Sequence, residues 1–249
     1  MSLVSIITPT YNSEEFISKT IQSIINQTYT KWELIITDDC STDSTWNILE
    51  SFANNHNRIH IYRLKTNSGA GIARNNSIAK ANGRFIAFCD SDDQWFPQKL
   101  EKQVKYMLDH NTHFSYSSYL VQDENQKIIG KINAPQIISY QKILRNNYVG
   151  CLTAIYDSQE LGKLFMSDTR KRQDWILWIH ILEKLHEVKG IDEPLAIYTK
   201  RENSISRNKL DLLKHNWRLY YNTLNFNKYK ASWYFIQFLY FYAKKKIFN

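Results

Sequence analysis

Along the first hundred residues, the pattern of apolar and polar positions alternates repeatedly between one typical of β-strands and one typical of α-helices. Short β-branched runs at 3–8, 32–36 and 59–62 predict strands, and the first of these should end at Pro9. Between the first two runs, isoleucines recur at positions 17, 21, 24 and 25, which is the spacing of one apolar helix face. Strands that alternate with helices predict an α/β fold in which helices flank a mainly parallel sheet.

The same patterns predict the remaining elements. Residues 12–15 offer a helix cap with acids in the first turn, and residues 67–71 open a helix that ends before a strand at 85–89. Further along, the pattern predicts a hairpin over 114–132, a strand over 147–156, an amphipathic helix from Asp174 and an aromatic helix over 228–246. Tyrosines 116, 119 and 148 are expected in the core rather than stacked on a ligand.

Composition narrows the class of protein. The 249 residues, 43% of them hydrophobic, can bury a full core, and seven glycines and four prolines argue against long disordered linkers. Cys40, Cys89 and Cys151 have no zinc-site spacing, which suggests thiols in a reducing compartment. With no signal-peptide pattern and no apolar run of about eighteen residues, we expect a cytoplasmic protein. The net charge of +8 indicates an anionic partner, whether nucleotide, membrane or nucleic acid.

Carboxylates are concentrated directly after an apolar run. Asp90, Asp92 and Asp93 follow the strand at 85–89, and such oxygen ligands suit Mg²⁺ or Mn²⁺, although an acidic turn that caps the next helix is the alternative. The segments at 8–11 and 38–39 also follow strands, so all three should converge at the carboxyl edge of the sheet.

Four segments in this order, 4–12, 38–43, 71–75 and 90–93, resemble the successive motifs of family 2 glycosyltransferases, and a second block resumes near Arg172. The resemblance implies the GT-A fold, which is Rossmann-like, and a nucleotide-diphosphate sugar donor. The chain is most similar to bacterial enzymes that build teichuronic acid, capsule and O-antigen chains.

On this basis we expect a GT-A domain over 1–205 and a helical, basic and aromatic tail over 206–249. Within the domain, 1–98 would bind the nucleotide sugar and 99–205 the acceptor.

The resemblance also implies a role for individual residues. Pro9, Thr10 and Tyr11 would line the nucleotide pocket, and Asp39 would read the pyrimidine ring, most often uracil. Arg74 would lie near the base or the diphosphate. The structural alternatives are that Asp39 caps a helix from Ser41 onward and that Arg74 forms a surface salt bridge.

The metal site and the catalytic base follow from the same resemblance. Asp90 and Asp92 match the DxD pair, with Asp92 as the direct ligand of Mn²⁺ or Mg²⁺ and Asp90 near the ribose or a metal-bound water. Asp174, which precedes Trp175 and the pair Leu177-Trp178, would be the general base that deprotonates the acceptor hydroxyl in an inverting displacement. The alternative is an acid that stabilises the helix dipole.

One position departs from the family pattern. Many relatives carry a metal-completing histidine before a Ser-x-Ser segment, but here Arg201 stands there, ahead of Ser204-Ile205-Ser206. Arginine cannot ligate a cation, so either Asp92 and the diphosphate hold the metal unaided or Arg201 itself meets the diphosphate.

The predicted function is therefore an inverting glycosyltransferase that moves a sugar from a UDP-sugar to a saccharide or lipid-linked saccharide. A metal-dependent nucleotidyltransferase and a nucleotide-sugar-binding protein without catalysis are the alternatives. A nucleic-acid partner is not expected, because an acidic cleft would repel a phosphate backbone. The tail helix is too short to span a bilayer and suits the inner leaflet of the membrane, but it could equally cover the catalytic domain or a second subunit.

Overall fold

The computed structural model of the chain describes residues 1–201 and 209–247. Its strands, in chain order, are β1 (Val4–Thr10), β2 (Trp32–Asp38), β3 (Ile59–Arg63), β4 (Phe85–Phe88), β5 (Gln94–Trp95), β6 (Phe114–Ser115), β7 (Ser117–Gln122), β8 (Ile128–Ile132), β9 (Ile137–Ser139), β10 (Ile155–Asp157), β11 (Glu187–Lys189) and β12 (Ile191–Thr199). Its α-helices are α1 (Ile17–Ile25), α2 (Thr45–Asn55), α3 (Ala70–Lys80), α4 (Lys99–Asp109), α5 (Tyr140–Ile143), α6 (Ser158–Leu161), α7 (Gln173–Leu185), α8 (Lys209–Arg218) and α9 (Lys228–Ile247). A segment at 202–208, which contains Ser204-Ile205-Ser206 and the predicted domain boundary, lies outside the described residues.

A six-stranded sheet in the order β3-β2-β1-β4-β10-β6 forms the centre of the molecule. The first four strands are parallel to one another, and β10 is antiparallel to both of its neighbours. Because β1 is covered on both faces, its side chains enter two different cores. Val4 and Ile6 belong to one core and Ile7 to the other. The predicted α/β fold with a mainly parallel sheet is confirmed.

The first strand and the first helix differ from the prediction at one boundary each. β1 runs on through Pro9 to Thr10, because β4 ends opposite Ile7 and Pro9 has a neighbouring strand on one side only, where proline is tolerated. The helix begins at Ile17, and the Asn12 side chain instead accepts a hydrogen bond from the backbone of Thr42 at 2.9 Å. Residues 12–15 therefore form a turn.

A second sheet, in the order β5-β12-β7-β8, contains the predicted hairpin as the antiparallel pair of β7 and β8. The strand predicted over 147–156 is wrong in its first part. A 3₁₀ helix covers Cys151–Thr153, and the chain is extended only in β10. The Asn147 side chain accepts from the Val149 amide and Thr153 donates to the Gly150 carbonyl, so local bonds compete with strand pairing here.

The predicted tail helix is present as α9 and packs on the rest of the domain. Its buried side chains Ala231, Tyr234 and Phe238 share a core with Trp175 of α7, and the Trp175 and Phe238 rings lie 5.9 Å apart. Of the partners considered from sequence, the structure thus shows the tail covering its own domain. No helix in the described part of the chain is long and apolar enough to cross a membrane.

The opposite side of α9 faces solvent. Four large side chains spaced four, three and four residues apart form a stripe there, which we call the α9 stripe: Tyr229, Trp233, Ile236 and Tyr240, each at least 60% exposed.

Candidate active site

A cavity of about 660 Å³ opens between the carboxyl end of β4 and the first turn of α7. Six of the residues predicted from sequence line it: Tyr11, Arg74, Asp90, Asp92, Asp174 and Arg201. The other three, Pro9, Thr10 and Asp39, are not part of its wall. Segments far apart in sequence therefore converge at one edge of the sheet, as expected for an open parallel sheet.

Asp39 holds a loop of the backbone. Its carboxylate is buried and accepts hydrogen bonds from the amides of Ser68 (2.7 Å) and Gly69 (2.8 Å) at the start of α3. Asp39 does not cap a helix from Ser41 onward, because Asp38 rather than Asp39 accepts from the Ser41 amide, at 3.1 Å. Each oxygen of Asp39 keeps a second lone pair, so contact with a pyrimidine N–H stays a prediction.

Thr10 ends β1 with an unused hydroxyl. Its Oγ1 is buried and makes no hydrogen bond in the described structure, while its carbonyl accepts from the Asp39 amide at 2.8 Å. A buried unpaired hydroxyl costs about 1–3 kcal/mol, so a ligand that reached this oxygen would recover that free energy.

Arg74 and Asp90 form an ion pair in the wall of the cavity. Arg74 Nη2 lies 2.6 Å from Asp90 Oδ1, and the arginine side chain is only 11% exposed. Burial, the largest single effect, would lower the pKa of Arg74, but the charge of Asp90, its hydrogen bond to Arg74 and the charge of Asp174 act together in the opposite direction, and the pKa is raised. Arg74 thus forms a salt bridge, as the structural alternative predicted, but the pair lies inside the cleft rather than on the surface.

Asp92 faces Arg201 across 3.5 Å. Burial and the neighbouring charge of Asp90 raise the pKa of Asp92, while Arg201 acts in the opposite direction. The two residues also line a second cavity, of about 500 Å³. The Arg201 that replaces the expected histidine is therefore in contact with the DxD carboxylate.

Asp93, the third carboxylate of the run, has a different position. It is buried, and its Oδ1 accepts from the Thr199 amide of β12 at 3.1 Å. Burial, with Asp92 and Asp90 nearby, raises the pKa of Asp93 well above its ordinary value. Asp93 thus ties the acidic loop to the second sheet.

The residues present fit a divalent cation that binds together with a diphosphate. No group of three or more His, Cys, Asp or Glu side chains is placed to hold a metal within residues 1–201 and 209–247. Asp90 and Asp92 remain, and two carboxylates with the phosphates of a substrate are a common site for Mg²⁺ or Mn²⁺. Arg201 supplies no ligand.

Asp174 lies on the first turn of α7 and is held by a side chain from another loop. Asn147 Nδ2 donates to Asp174 Oδ2 at 2.9 Å, and the amide oxygen of Asn147 accepts from the Val149 backbone at 3.2 Å. Both ends of the Asn147 amide are therefore used, and the carboxylate is fixed in the cavity wall.

Gln173 links the same turn to the nucleotide half. Its Nε2 donates to the Thr169 carbonyl at 2.6 Å, and its Oε1 accepts from Arg74 at 3.4 Å. A Cβ on Gly71 of α3 would lie 2.1 Å from the Gln173 amide nitrogen, so glycine is needed for this close approach. Sequence reasoning missed Gln173 and Asn147; only the position of Gln173 beside Asp174 could have suggested it.

Two further cavity residues stay neutral at pH 7. Burial, followed by the charge of Asp90, raises the pKa of the Cys151 thiol, and burial raises the pKa of Tyr119 to about 12. Of the three tyrosines assigned to the core, Tyr116 is buried and Tyr148 is partly buried, whereas Tyr119 lines the cavity. Neither Cys151 nor Tyr119 provides an anionic nucleophile.

Comparisons with known proteins agree with this arrangement. The family "Glycosyl transferase family 2" matches residues 5–159. TuaG of Bacillus subtilis (strain 168), a glycosyltransferase assigned by name to teichuronic acid biosynthesis, is 39% identical over 246 residues, which are 98% of each chain. WfgD of Escherichia coli, named as a UDP-Glc:alpha-D-GlcNAc-diphosphoundecaprenol beta-1,3-glucosyltransferase, is 41% identical over 218 residues, covering 86% of this chain and 84% of WfgD.

Two solved structures share the fold. S. aureus TarS 1–349 in complex with UDP-GlcNAc has a TM-score of 0.69 at 22% identity, over 96% of this chain and 72% of that one. The mannosyltransferase PcManGT of Pyrobaculum calidifontis, in complex with GDP-Man and Mn²⁺, has a TM-score of 0.61 at 18% identity, over 94% of this chain and 70% of that one.

Proposed function

This chain belongs to glycosyl transferase family 2, and from that premise we propose that it transfers a sugar from a UDP-sugar to a lipid-linked saccharide with inversion at the anomeric carbon. It is a GT-A glycosyltransferase of bacterial surface glycan synthesis. The observation that carries the finer proposal is that Asp90, Asp92 and Asp174 line the same cavity.

Uracil is the base that we assign to the donor, because two of the similar proteins are named with UDP or a UDP-sugar. The name of WfgD specifies UDP-Glc, and TarS has been solved with UDP and with UDP-GlcNAc. In this chain, Asp39 has lone pairs to accept from a ring N–H, and the Thr10 hydroxyl next to it needs a partner. Tyr11 lies in the cavity wall, and its exposed ring gives the nucleotide an aromatic surface.

The diphosphate would lie among the arginines and carboxylates of the cleft. Arg74 and Arg201 each pair with a carboxylate, and both line the cavity. Arginine suits such a ligand because its planar fork pairs with phosphate oxygens. A divalent cation bound by Asp90 and Asp92 would neutralise charge on the departing diphosphate.

Proton transfer falls to Asp174. Its carboxylate would accept the proton of the acceptor hydroxyl as that oxygen attacks the anomeric carbon from the face opposite the diphosphate. The bond from carbon to diphosphate breaks as the new glycosidic bond forms, so the configuration inverts and no covalent intermediate is needed. The hydrogen bond from Asn147 holds the carboxylate in place for this step.

A lipid-linked acceptor would bring the enzyme to a membrane surface. The acceptor in the name of WfgD is a diphosphoundecaprenol. The α9 stripe exposes three aromatic rings and an isoleucine, Lys228 and Lys230 flank its start, and Lys244-Lys245-Lys246 follows it in the sequence. Aromatic and basic residues together are typical of helices that lie in the interface of an anionic leaflet.

Calorimetric titration tests the donor site. UDP titrated into the protein with Mn²⁺ should bind, binding should weaken at least tenfold in EDTA, and Asp92→Ala should remove the metal dependence. Absence of UDP binding under both conditions would contradict uracil recognition by Asp39.

Turnover tests the base. Release of UDP from a UDP-sugar with a diphosphate-lipid-linked saccharide should require Asp174, and Asp174→Asn should bind UDP with unchanged affinity while its kcat falls at least a hundredfold. Analysis of the product's anomeric configuration by NMR tests inversion, and a retained configuration would contradict the single displacement.

A further inference from the structure

The residue that begins α7 has an unusual backbone. Arg172 has a φ of +69°, in the left-handed region that residues other than glycine rarely adopt. Its side chain does not cap the helix. Its carbonyl accepts the first helical bond, from the Ile176 amide at 3.0 Å. Because Asp174 is only two residues away, the backbone conformation of Arg172 helps to determine the position of the Asp174 side chain.

The Arg172 side chain explains how the conformation is kept. Its Nε donates to Asn216 Oδ1 of α8 at 2.8 Å, and its guanidinium carbon lies 5.5 Å from the Trp175 ring and 5.9 Å from the Phe238 ring of α9. One side chain thus contacts α7, α8 and α9. Strained backbone persists where the surroundings fix it in this way.

The contact between Arg172 and Asn216 is polar although it lies in an apolar core. Asn216 is fully buried, and its Nδ2 has no hydrogen-bond partner in the described structure. Burial lowers the pKa of Arg172, although the charge of Asp174 opposes this effect. No carboxylate forms an ion pair with Arg172 among the described residues. An apolar contact would be the simpler way to attach a tail, whereas a buried polar contact fixes one geometry.

We propose that Arg172 is a positioning residue through which the tail helices α8 and α9 hold Asp174 in its working position. This inference rests on the proposed role of Asp174 as the base. It gives the tail a part in the chemistry that is separate from any contact between the α9 stripe and lipid.

Substitution at both ends of the Arg172–Asn216 hydrogen bond tests the proposal. Arg172→Gly keeps a residue that tolerates the left-handed backbone but removes the link, and Asn216→Ala removes the acceptor. Both should lower kcat at least tenfold. In Asn216→Ala, which keeps the Arg172 side chain in the cavity wall, the affinity for UDP should stay within twofold. Asn216→Asp keeps an acceptor for Arg172 and should retain kcat. Lys214→Ala, an exposed change on the same helix, is the matched control.

Hydrogen exchange gives a readout that needs no acceptor substrate. In Arg172→Gly and Asn216→Ala, the amides of Asp174 to Leu177 should exchange at least fivefold faster than in the wild type, while those of β1 keep their wild-type rates. Unchanged exchange there, together with wild-type kcat in both variants, would overturn the proposal.

The same series separates this inference from the proposed function. If Asp174→Asn is inactive while Arg172→Gly and Asn216→Ala turn over normally, the base assignment stands and the positioning role is wrong. Turnover by Asp174→Asn would overturn both. A kcat loss in Asn216→Ala that Asn216→Asp also shows would mean that the acceptor oxygen is irrelevant, which contradicts the proposal.

Discussion

Asn147 donates a hydrogen bond to the Asp174 carboxylate over 2.9 Å, although 27 residues separate the two in the chain. This bond joins the loop before β10 to the first turn of α7. It gives the cavity a carboxylate with one oxygen bound to a side-chain amide and the other available to an acceptor hydroxyl.

Removing the Asn147 amide should impair turnover rather than donor binding. A hydrogen bond to a charged group is worth about 1.5–3 kcal/mol, so Asn147→Ala should lower kcat roughly ten- to a hundredfold. Steady-state kinetics with calorimetry of UDP measures both quantities. Tyr148→Phe, a change to the adjacent residue, is the control, and a weaker UDP affinity with normal kcat in Asn147→Ala would contradict the assignment.

Replacing Arg201 by histidine should increase the dependence of donor binding on metal. The Asp92 carboxylate would lose its guanidinium partner at 3.5 Å, and a neutral imidazole beside it can ligate Mn²⁺. We expect the ratio of UDP affinities with Mn²⁺ and with EDTA to rise at least fivefold in Arg201→His. Arg201→Ala serves as the control, because it removes the cation without adding a ligand. An equal ratio in the wild type and in Arg201→His would show that position 201 does not reach the metal.

A methyl group at Gly71 should act through Gln173. The added Cβ would lie 2.1 Å from the Gln173 amide nitrogen and would displace it from Arg74. Gly71→Ala should therefore lower kcat/KM about tenfold, although alanine favours the helix by about 1 kcal/mol. In the double variant Gly71→Ala/Gln173→Ala the clash is absent. Gly71→Ala should therefore reduce kcat/KM less in the Gln173→Ala background than in the wild type. A double-mutant cycle measures this difference, and strict additivity would refute the contact.

The pH dependence of stability should reveal Lys99, a fully buried residue at the start of α4. Its ammonium has no hydrogen-bond partner in the described structure and lies 4.0 Å from the Trp95 ring centroid. Burial lowers the pKa of Lys99 from 10.5 to about 7, and the nearby Cys89 acts in the opposite direction. The unfolded chain therefore holds a proton that the folded one lacks between pH 7 and 10.5. In that window the free energy of unfolding should rise with pH.

Lys99→Met removes this dependence. The variant should be more stable than the wild type by roughly 1–4 kcal/mol at pH 6.5, and the gain should shrink toward pH 10. Urea denaturation at several pH values measures it. Lys105→Met, a change to an exposed lysine of the same helix, should move stability by no more than about 0.5 kcal/mol. A gain that does not vary with pH would mean that Lys99 is charged in the folded protein throughout.

The sequence was sufficient for the four parallel strands of the central sheet, because each of them and each helix between them carries its own period. It also located Asp90, Asp92 and Asp174 at the cavity, since the ends of parallel strands meet at one edge and the first turn of α7 follows a clear motif. The secondary structure of the chain around Cys151 could not be predicted in this way. There, local side-chain bonds decide between a 3₁₀ turn and a strand.

The contacts that fix the site were beyond prediction for a related reason. Asn147 and Asp174 are 27 residues apart, and Arg172 and Asn216 are 44 apart. Each bond depends on how two separate elements pack, and neither asparagine stands in a local pattern that marks it. The left-handed backbone of Arg172 could not be predicted from the sequence either, because arginine is not a residue that favours this conformation.

The position of β10 limits how this enzyme can be recombined with its relatives. β10 comes from the half of the chain beyond residue 98 but lies between β4 and β6 in the central sheet, and its Asp157 accepts from both Nε and Nη2 of Arg84. A chimera joined near residue 98 would keep β4 from one parent and its neighbouring strand from another. Exchange of acceptor specificity by grafting would therefore preserve the sheet only if the Arg84–Asp157 pair and the packing around Ile155 were transferred as a unit.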